Sequence, residues 1–331
     1  MQVACNLIPL VSIIIVNWNG RELLQECLNA VLLQTYTHHE IVLVDNDSHD
    51  GSVEYVRTNY SQVKIISLSE NTGFTGGNIA GYAVATGDFI VLLNNDAVMT
   101  ERWLEEMVNT LLSDASVGFC SSKIIITGTN KVDSVGDTFT TAFSGTKMGE
   151  YEPESNFNES RLVPGACAAA VIYKREMLDQ IGFLDEEFFF NHEDTDLNLR
   201  AWLSGWKCRF VPDAVVYHKV NASVGELSDT GVYYFSRNNV WVWIKNTPTG
   251  FMLRCLPQRI LYEICSFAFF CIKKGKWKPF LRGKLDAVIK IPIMLKKRRD
   301  IQKIVRLSRS EIESGLMPIT KYLMLRLQNS K

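Results

Sequence analysis

Four apolar runs, at 10–16, 40–45, 63–68 and 88–93, recur through the first 120 residues with a helical pattern after each, and this alternation constrains the fold more than any other feature. It predicts βαβ units and a parallel sheet, with helices at 20–33, 51–58, 73–85 and 101–112. Continuous apolar runs, rather than alternating ones, mark strands buried on both faces. Two of these runs deliver acids to their carboxyl ends. Ile41-Val42-Leu43-Val44 leads into Asp45-Asn46-Asp47-Ser48, and Ile90-Val91-Leu92-Leu93 leads into Asn94-Asn95-Asp96. Ligands of open α/β sheets collect at such ends, so the two acids predict a site for a polar, phosphorylated ligand. Acids and Asn also cap helices and turns, and the rest of the chain must decide.

The length of 331 residues fits one large α/β domain plus an appendage. The formal net charge of −1 hides an asymmetry: residues 251–331 hold 19 Lys/Arg against 5 Asp/Glu, leaving 16 against 31 in residues 1–250. The division expected is a main domain at 1–250 and a basic helical extension at 251–331. The eight cysteines, Cys5 to Cys271, show no Cys-x-x-Cys pair or zinc spacing and read as reduced thiols. No basic region precedes an apolar stretch at the N-terminus, so no signal peptide is expected and cytoplasmic residence follows. The sequons at Asn46, Asn158 and Asn221 are then incidental.

Residues 121–160 turn polar and Gly/Ser/Thr-rich, fitting a mobile loop or short antiparallel strands. Order returns at Val163-Pro164-Gly165-Ala166-Cys167, small and apolar enough to pass close beneath a ligand. A helix opens at Glu193-Asp194 and stops at Gly205. Two short strands, 207–211 and 214–218, end at His218, and a helix is expected at 232–246. In the extension, the apolar stretch Ile260 to Ile272 is interrupted by Glu263 and falls short of the roughly 20 residues of a membrane span. Lys273, Lys274, Lys276 and Lys278 surround Trp277, and a second cluster follows at Lys296-Lys297-Arg298-Arg299. Amphipathic helices on an anionic membrane surface have this composition, as does a basic hairpin packed on the main domain. No nucleic-acid-binding motif accompanies the charge.

A nucleotide-activated substrate would use these residues coherently. Asp45 could accept from a pyrimidine ring N–H, and Asp96 could hold Mg²⁺ or Mn²⁺ through hard carboxylate oxygen. Between them, Glu70-Asn71-Thr72-Gly73-Phe74-Thr75-Gly76-Gly77-Asn78 enters a helix whose N-terminus favours anions. Asp194, in a first helical turn, would be held ionised by the dipole, with Leu197 and Ala201 burying its face. Asp196 and Arg200 read as a surface pair. His218 is a plausible third metal ligand. Trp202, Trp206 and Trp241 read as core or acceptor-wall residues, and His38 and His39 receive no role.

Seven segments in order, VSIIIVNWNG, IVLVDNDSHDGS, ENTGFTGGNIAGY, FIVLLNNDA, LVPGACAAAVIYKRE, FFFNHEDTDLNLRAWLSGW and VPDAVVYHKVNAS, resemble the family 2 glycosyltransferases over roughly residues 10–247. These are inverting enzymes of the GT-A fold, a mostly parallel mixed sheet flanked by helices, and the match is nearest to their bacterial rhamnosyltransferase-like branch. The resemblance implies a dTDP- or UDP-linked sugar donor, rhamnose first. Donor contacts would come from Asn17, Asp45, Asn71, Gly73, Gly77, Asn78, Asn94, Asn95 and Asp96. It makes Asp194, with Glu193, the catalytic base, Asp96 and His218 the ligands of Mg²⁺ or Mn²⁺, and Gly165, Ala166 and Trp202 the acceptor side. The family's Asp-x-Asp metal motif reads Asn94-Asn95-Asp96 here, one carboxylate short. The acceptor implied is a saccharide, lipid-linked, of a surface polysaccharide, with the enzyme peripheral on the cytoplasmic face through residues 251–300.

Two rivals stand beside this reading. A nucleotidyltransferase would need a basic, glycine-rich loop after the first strand, where Asn17-Trp18-Asn19-Gly20-Arg21 stands. A non-catalytic sugar-nucleotide-binding protein would have no need of the Glu193-Asp194 pair.

Overall fold

The computed structural model describes residues 8–220 and 227–328; Cys5 and the sequon at Asn221 lie outside them. The predicted alternation forms β1 (Val11–Asn17), α1 (Arg21–Leu32), β2 (His39–Asp45), α2 (Ser52–Asn59), β3 (Val63–Ser67), α3 (Gly73–Val84) and β4 (Phe89–Asn94). These strands pair in parallel in the order β3-β2-β1-β4. Apolar side chains leave both faces: Ile13 and Ile15 pack with Leu24 and Leu28 of α1 and Val56 of α2, while Ile14 packs with Val42, Val44 and Leu92 on the other side. This two-sided burial is why the strands read as continuous apolar runs.

The chain continues through β5 (Ala97–Met99), α4 (Trp103–Ser113), β6 (Val117–Ile126), β7 (Val132–Ser134), β8 (Asp137–Thr140), β9 (Gly145–Lys147), β10 (Arg161–Val163), β11 (Ala170–Lys174), α5 (Arg175–Ile181), α6 (Glu193–Leu203) and β12 (Lys207–His218). The sheet order is β10-β12-β6-β11-β4-β1-β2-β3, with β5 on β12 and β7 on β6. β11 runs antiparallel between β4 and β6, which makes the sheet mixed. This is the GT-A architecture. The two strands expected at 207–218 are one strand with a register shift between Val211 and Val215. Pro212 has no N–H for the ladder, and the irregularity absorbs it. Residues 121–160 are short strands rather than a mobile loop, because Val132, Phe139 and Phe143 are fully buried.

α7 (Asp229–Asn246) is followed by α8 (Thr249–Met252), α9 (Leu256–Phe267) running into a π-helical turn at Ala268–Lys273, α10 (Trp277–Ile289), α11 (Ile291–Ile304), α12 (Arg309–Gly315), β13 (Leu316–Met317) and α13 (Ile319–Gln328). Much of this basic region packs on the body. β13 pairs with β8, and a Cβ on Gly283 of α10 would strike Ser236 Oγ of α7. Half of the second basic cluster also faces inward: Lys297 bonds Asp185, and Arg298, 8% exposed, donates to the carbonyls of Ile244 and Thr247. Outward-facing apolar residues concentrate on α9 (Ile260, Ile264, Phe267) and α10 (Trp277, Leu281, Leu285, Val288).

Candidate active site

Polar residues collect where β1, β2 and β4 end level. Register sets Asn17 opposite Asp45, and Val16 opposite Asn94. Asp45 is buried; its Oδ2 accepts the Ser48 N–H at 3.2 Å, while Oδ1 has no partner among the described residues. An unsatisfied buried acceptor costs about 1–3 kcal/mol. Asn95 Nδ2 donates to Asn17 Oδ1 at 2.8 Å, and Asn17 Nδ2 donates to Ser48 Oγ at 3.2 Å. One chain of side-chain bonds therefore joins the ends of all three strands. Asn46 is buried and bonded to Asn71 and Gly73 O.

Antiparallel pairing of β5 with the end of β12 sets His218 opposite Ala97, beside Asp96. His218 Nε2 lies 3.1 Å from Asp96 Oδ1, and Nδ1 lies 3.2 Å from Asp133 Oδ2. Behind them, Lys147 Nζ stands 2.5 Å from Asp133 Oδ1. Burial alone would lower the His218 pKa, but the bonds to Asp133 and Asp96 overcome it and raise it to about 9. Asp133 shows the converse: burial would raise it, while His218 and Lys147 hold it down at about 2. Two ligands bound at right angles, each roughly 2.1 Å from one cation, lie about 3 Å apart. The Asp96 Oδ1 to His218 Nε2 spacing fits that arrangement once a cation displaces the Nε2 proton that the raised pKa retains at neutral pH. Asn94 Nδ2 is 3.4 Å from the same imidazole nitrogen. Among the described residues no group of three or more His, Cys, Asp or Glu could hold a metal ion, so a cation here would draw its remaining ligands from substrate and water.

The glycine-rich entry to α3 is committed to the protein itself. Gly73 has φ +73°, and a Cβ there would meet the Phe189 carbonyl at 2.3 Å. That carbonyl accepts the Thr75 N–H at 3.0 Å and Asn71 Oδ1 accepts the Gly73 N–H at 2.8 Å, so the first turn of α3 is partly capped from within. Gly77 faces Val16, and Asn78 donates to Phe74 O.

Phe189, Asn191 and His192 all have positive φ, a conformation that non-glycine residues adopt at a cost of order 1–3 kcal/mol each. Asn238 of α7 holds this segment by donating to the carbonyls of Phe188, Phe190 and Asn191 at 2.9, 2.8 and 2.6 Å. The segment delivers Glu193 and Asp194 into the first turn of α6. Asp194 accepts the N–H of Thr195 at 2.6 Å and that of Ala168. Ala169, next along, accepts the Asn94 N–H at 2.9 Å, which ties this acid to the end of β4. Leu197 and Ala201 are buried as the helical spacing predicts. The helix dipole does not decide the state of Asp194. Burial raises its pKa, with the Thr195 and Ala168 N–H groups and Lys147 opposing. Burial, then Asp194, push Glu193 up to about 8, and its Oε2 has no partner among the described residues.

One expected placement is corrected. Asp196 and Arg200 form no surface pair: Asp196 is fully buried, bonded to Arg200, to Lys245 at 2.9 Å and to Asn246. Trp202, half-buried, packs its ring on Phe139 and fills the space that a Cβ on Gly315 would need. Trp241 is core. Gly165 and Ala166 seat Asn198, whose Nδ2 donates to Ala166 O at 2.8 Å. The sequence reading missed Asp133, Lys147 and Asn238. The first two lie in the segment without periodicity: Asp133 reaches His218 through the β7–β6–β12 pairings, and Lys147 reaches Asp133 from β9, paired with β8.

Residues 12–182 match the family model described as glycosyl transferase family 2. The chain is 27% identical over 247 residues to the glycosyltransferase AglE of Haloferax volcanii, covering 72% of this chain and 75% of that protein. It is 30% identical over 224 residues to YwdF, an uncharacterized glycosyltransferase of Bacillus subtilis, covering 67% and 78%. Among solved structures, GalNAc-T7 with UDP, GalNAc and Mn²⁺ superposes with a TM-score of 0.58 at 18% identity, covering 72% of this chain and 48% of that one. This chain thus spans about half of that structure.

Proposed function

From the premise that this chain belongs to glycosyl transferase family 2 and is a glycosyltransferase of the GT-A fold, we propose that it is an inverting enzyme using a dTDP- or UDP-linked sugar, rhamnose first. The acceptor in this reading is a hydroxyl of a lipid-linked saccharide in surface-polysaccharide synthesis. The observation that carries the reading is the joining of two groups of residues. Asp45, Asn17 and Asn95 meet at the carboxyl ends of β2, β1 and β4 with Asp96 next in the chain, and Asp194 is tied to the end of β4 through Ala168 and Ala169.

In this mechanism the free Oδ1 of Asp45 accepts the ring N–H of the donor's base. Asp96 and His218 would hold Mg²⁺ or Mn²⁺, a divalent cation accompanying UDP in the GalNAc-T7 structure, and that ion would neutralise the leaving diphosphate. Asp194 takes the proton from the acceptor hydroxyl, whose oxygen attacks the anomeric carbon as the nucleoside diphosphate departs. A raised pKa strengthens Asp194 as a base once it is ionised. Burial and the neighbouring Asp194 hold the Glu193 pKa up at about 8, which favours its protonated form at neutral pH.

The outward apolar stripes of α9 and α10, edged by Lys273, Lys274 and Lys278, support peripheral membrane attachment. No helix among the described residues is long and apolar enough to cross a membrane. The test is a panel of nucleotide sugars incubated with Mg²⁺ or Mn²⁺ and extracted lipid-linked saccharides. Release of nucleoside diphosphate with a glycosylated product of inverted anomeric configuration is expected. Conversion of a nucleotide sugar to nucleoside triphosphate and sugar 1-phosphate on addition of pyrophosphate, with no glycosylated product, would instead indicate nucleotidyl transfer.

A further inference from the structure

A cleft of about 500 Å³ lies between the first turns of α7 and α10, lined by Asp229, Tyr233, Tyr234, Lys278, Pro279 and Arg282. Its charge is cationic in effect. Asp229 is neutralised by Lys276 at 2.6 Å, whereas neither Lys278 nor Arg282 forms an ion pair among the described residues. Aromatic rings carry these cations: the Arg282 guanidinium stands 5.5 Å from the Tyr233 ring, and Lys278 stands 5.6 Å from Trp277. The Tyr233 hydroxyl is committed to Asp286 at 2.6 Å, while the Tyr234 hydroxyl has no hydrogen-bond partner among the described residues. Two unpaired cations and a free phenol facing one cleft match the chemistry of a phosphate group.

The surroundings specify what carries that phosphate. Lys278 and Arg282 each follow by one residue a member of the outward apolar stripe, Trp277 and Leu281, which continues through Leu285 and Val288. A phosphate in the cleft would therefore sit at the headgroup level of a membrane against which α10 lies. On the inner side, Tyr234 stacks on Phe189 at 4.9 Å, and Phe189 begins the strained segment that delivers Glu193 and Asp194. One aromatic layer separates the cleft from that segment.

We propose that this cleft binds the phosphate of a lipid. It is either the phosphate linking an acceptor saccharide to its polyprenyl chain or the headgroup phosphate of an anionic phospholipid. The inference rests on the membrane-attached reading above. Flotation of the full chain with neutral phosphatidylcholine vesicles, alone or doped with polyprenyl phosphate or with phosphatidylglycerol, separates the two sources. The wild type is expected to bind one doped population at least tenfold more tightly than neutral vesicles, and the arm that shows this identifies the source. Lys278→Ala/Arg282→Ala should lose that preference, while Lys273→Ala/Lys274→Ala, which removes equal charge outside the cleft, should keep most of it. Nucleotide binding by calorimetry verifies that each variant is folded. Retention of the preference by the cleft variant, or equal loss in both variants, overturns the proposal. Binding to no vesicle of any kind would instead sink the membrane-attached reading itself and the proposal with it.

Discussion

His218 Nε2 lies 3.1 Å from Asp96 Oδ1 while Nδ1 of the same ring is held 3.2 Å from Asp133. One imidazole thus faces the proposed cation site with one nitrogen and is oriented by a buried acid with the other. Partners that orient a ligating histidine typically contribute 10- to 100-fold to metal affinity. Asp133→Asn is therefore expected to weaken Mn²⁺-dependent nucleotide binding by roughly that factor, measured calorimetrically, with little effect on binding without metal. Unchanged Mn²⁺ dependence would place the cation elsewhere.

Asn238 spans the carbonyls of Phe188, Phe190 and Asn191 and so holds three positive-φ residues in the run before Asp194. Asn238→Ala releases that segment. The expected result is a fall in kcat of about 10²-fold, the cost of misplacing a reacting group by about 1 Å, with donor KM nearly unchanged. A rise in donor KM at constant kcat would assign Asn238 to donor binding.

The strands and helices of the first 120 residues were legible because two-sided burial writes itself as unbroken apolar runs, and the acids follow those runs directly. Asp45 and Asp96 therefore stood out in the sequence. What failed to show was everything set by tertiary pairing. The Asp133–His218–Asp96 chain depends on β7 and β12 meeting β6 and β5, and no local pattern encodes that. Asp196 and Arg200 have the spacing of an exposed helical pair, yet Lys245, far along the chain, draws them into the interior. Among the glycines at the entry to α3, Gly73 admits the protein's own Phe189 carbonyl, a contact from a distant segment that no local pattern announces.

Lys245 lies 2.5 Å from Asp185 and 2.9 Å from Asp196, with all three side chains buried. Its removal leaves Asp185 with Lys297 and Asp196 with Arg200 but takes the shared cation out of a buried network, a loss of about 3–5 kcal/mol. Lys245→Met should lower unfolding free energy by that amount in urea denaturation. A loss below about 1 kcal/mol would show that water or Arg200 compensates.

Burial first, then Asp194, push Glu193 up to about 8, against about 4.3 in an unfolded chain. The folded state then binds more protons between these values. Its stabilising contribution is complete below about pH 4.3 and is lost as pH rises through about 8. Glu193→Gln cannot ionise, so its stability should fall less steeply than that of the wild type from about pH 5 to 8. Parallel pH profiles for the two proteins would refute the assignment.

Asp194 is the residue on which the proposed transfer turns, so the most direct measurement compares donor binding and single-turnover transfer for wild type and Asp194→Asn at saturating donor. The account predicts unchanged donor affinity and a transfer rate reduced about 10²- to 10⁴-fold. Transfer by Asp194→Asn at near wild-type rate would contradict it.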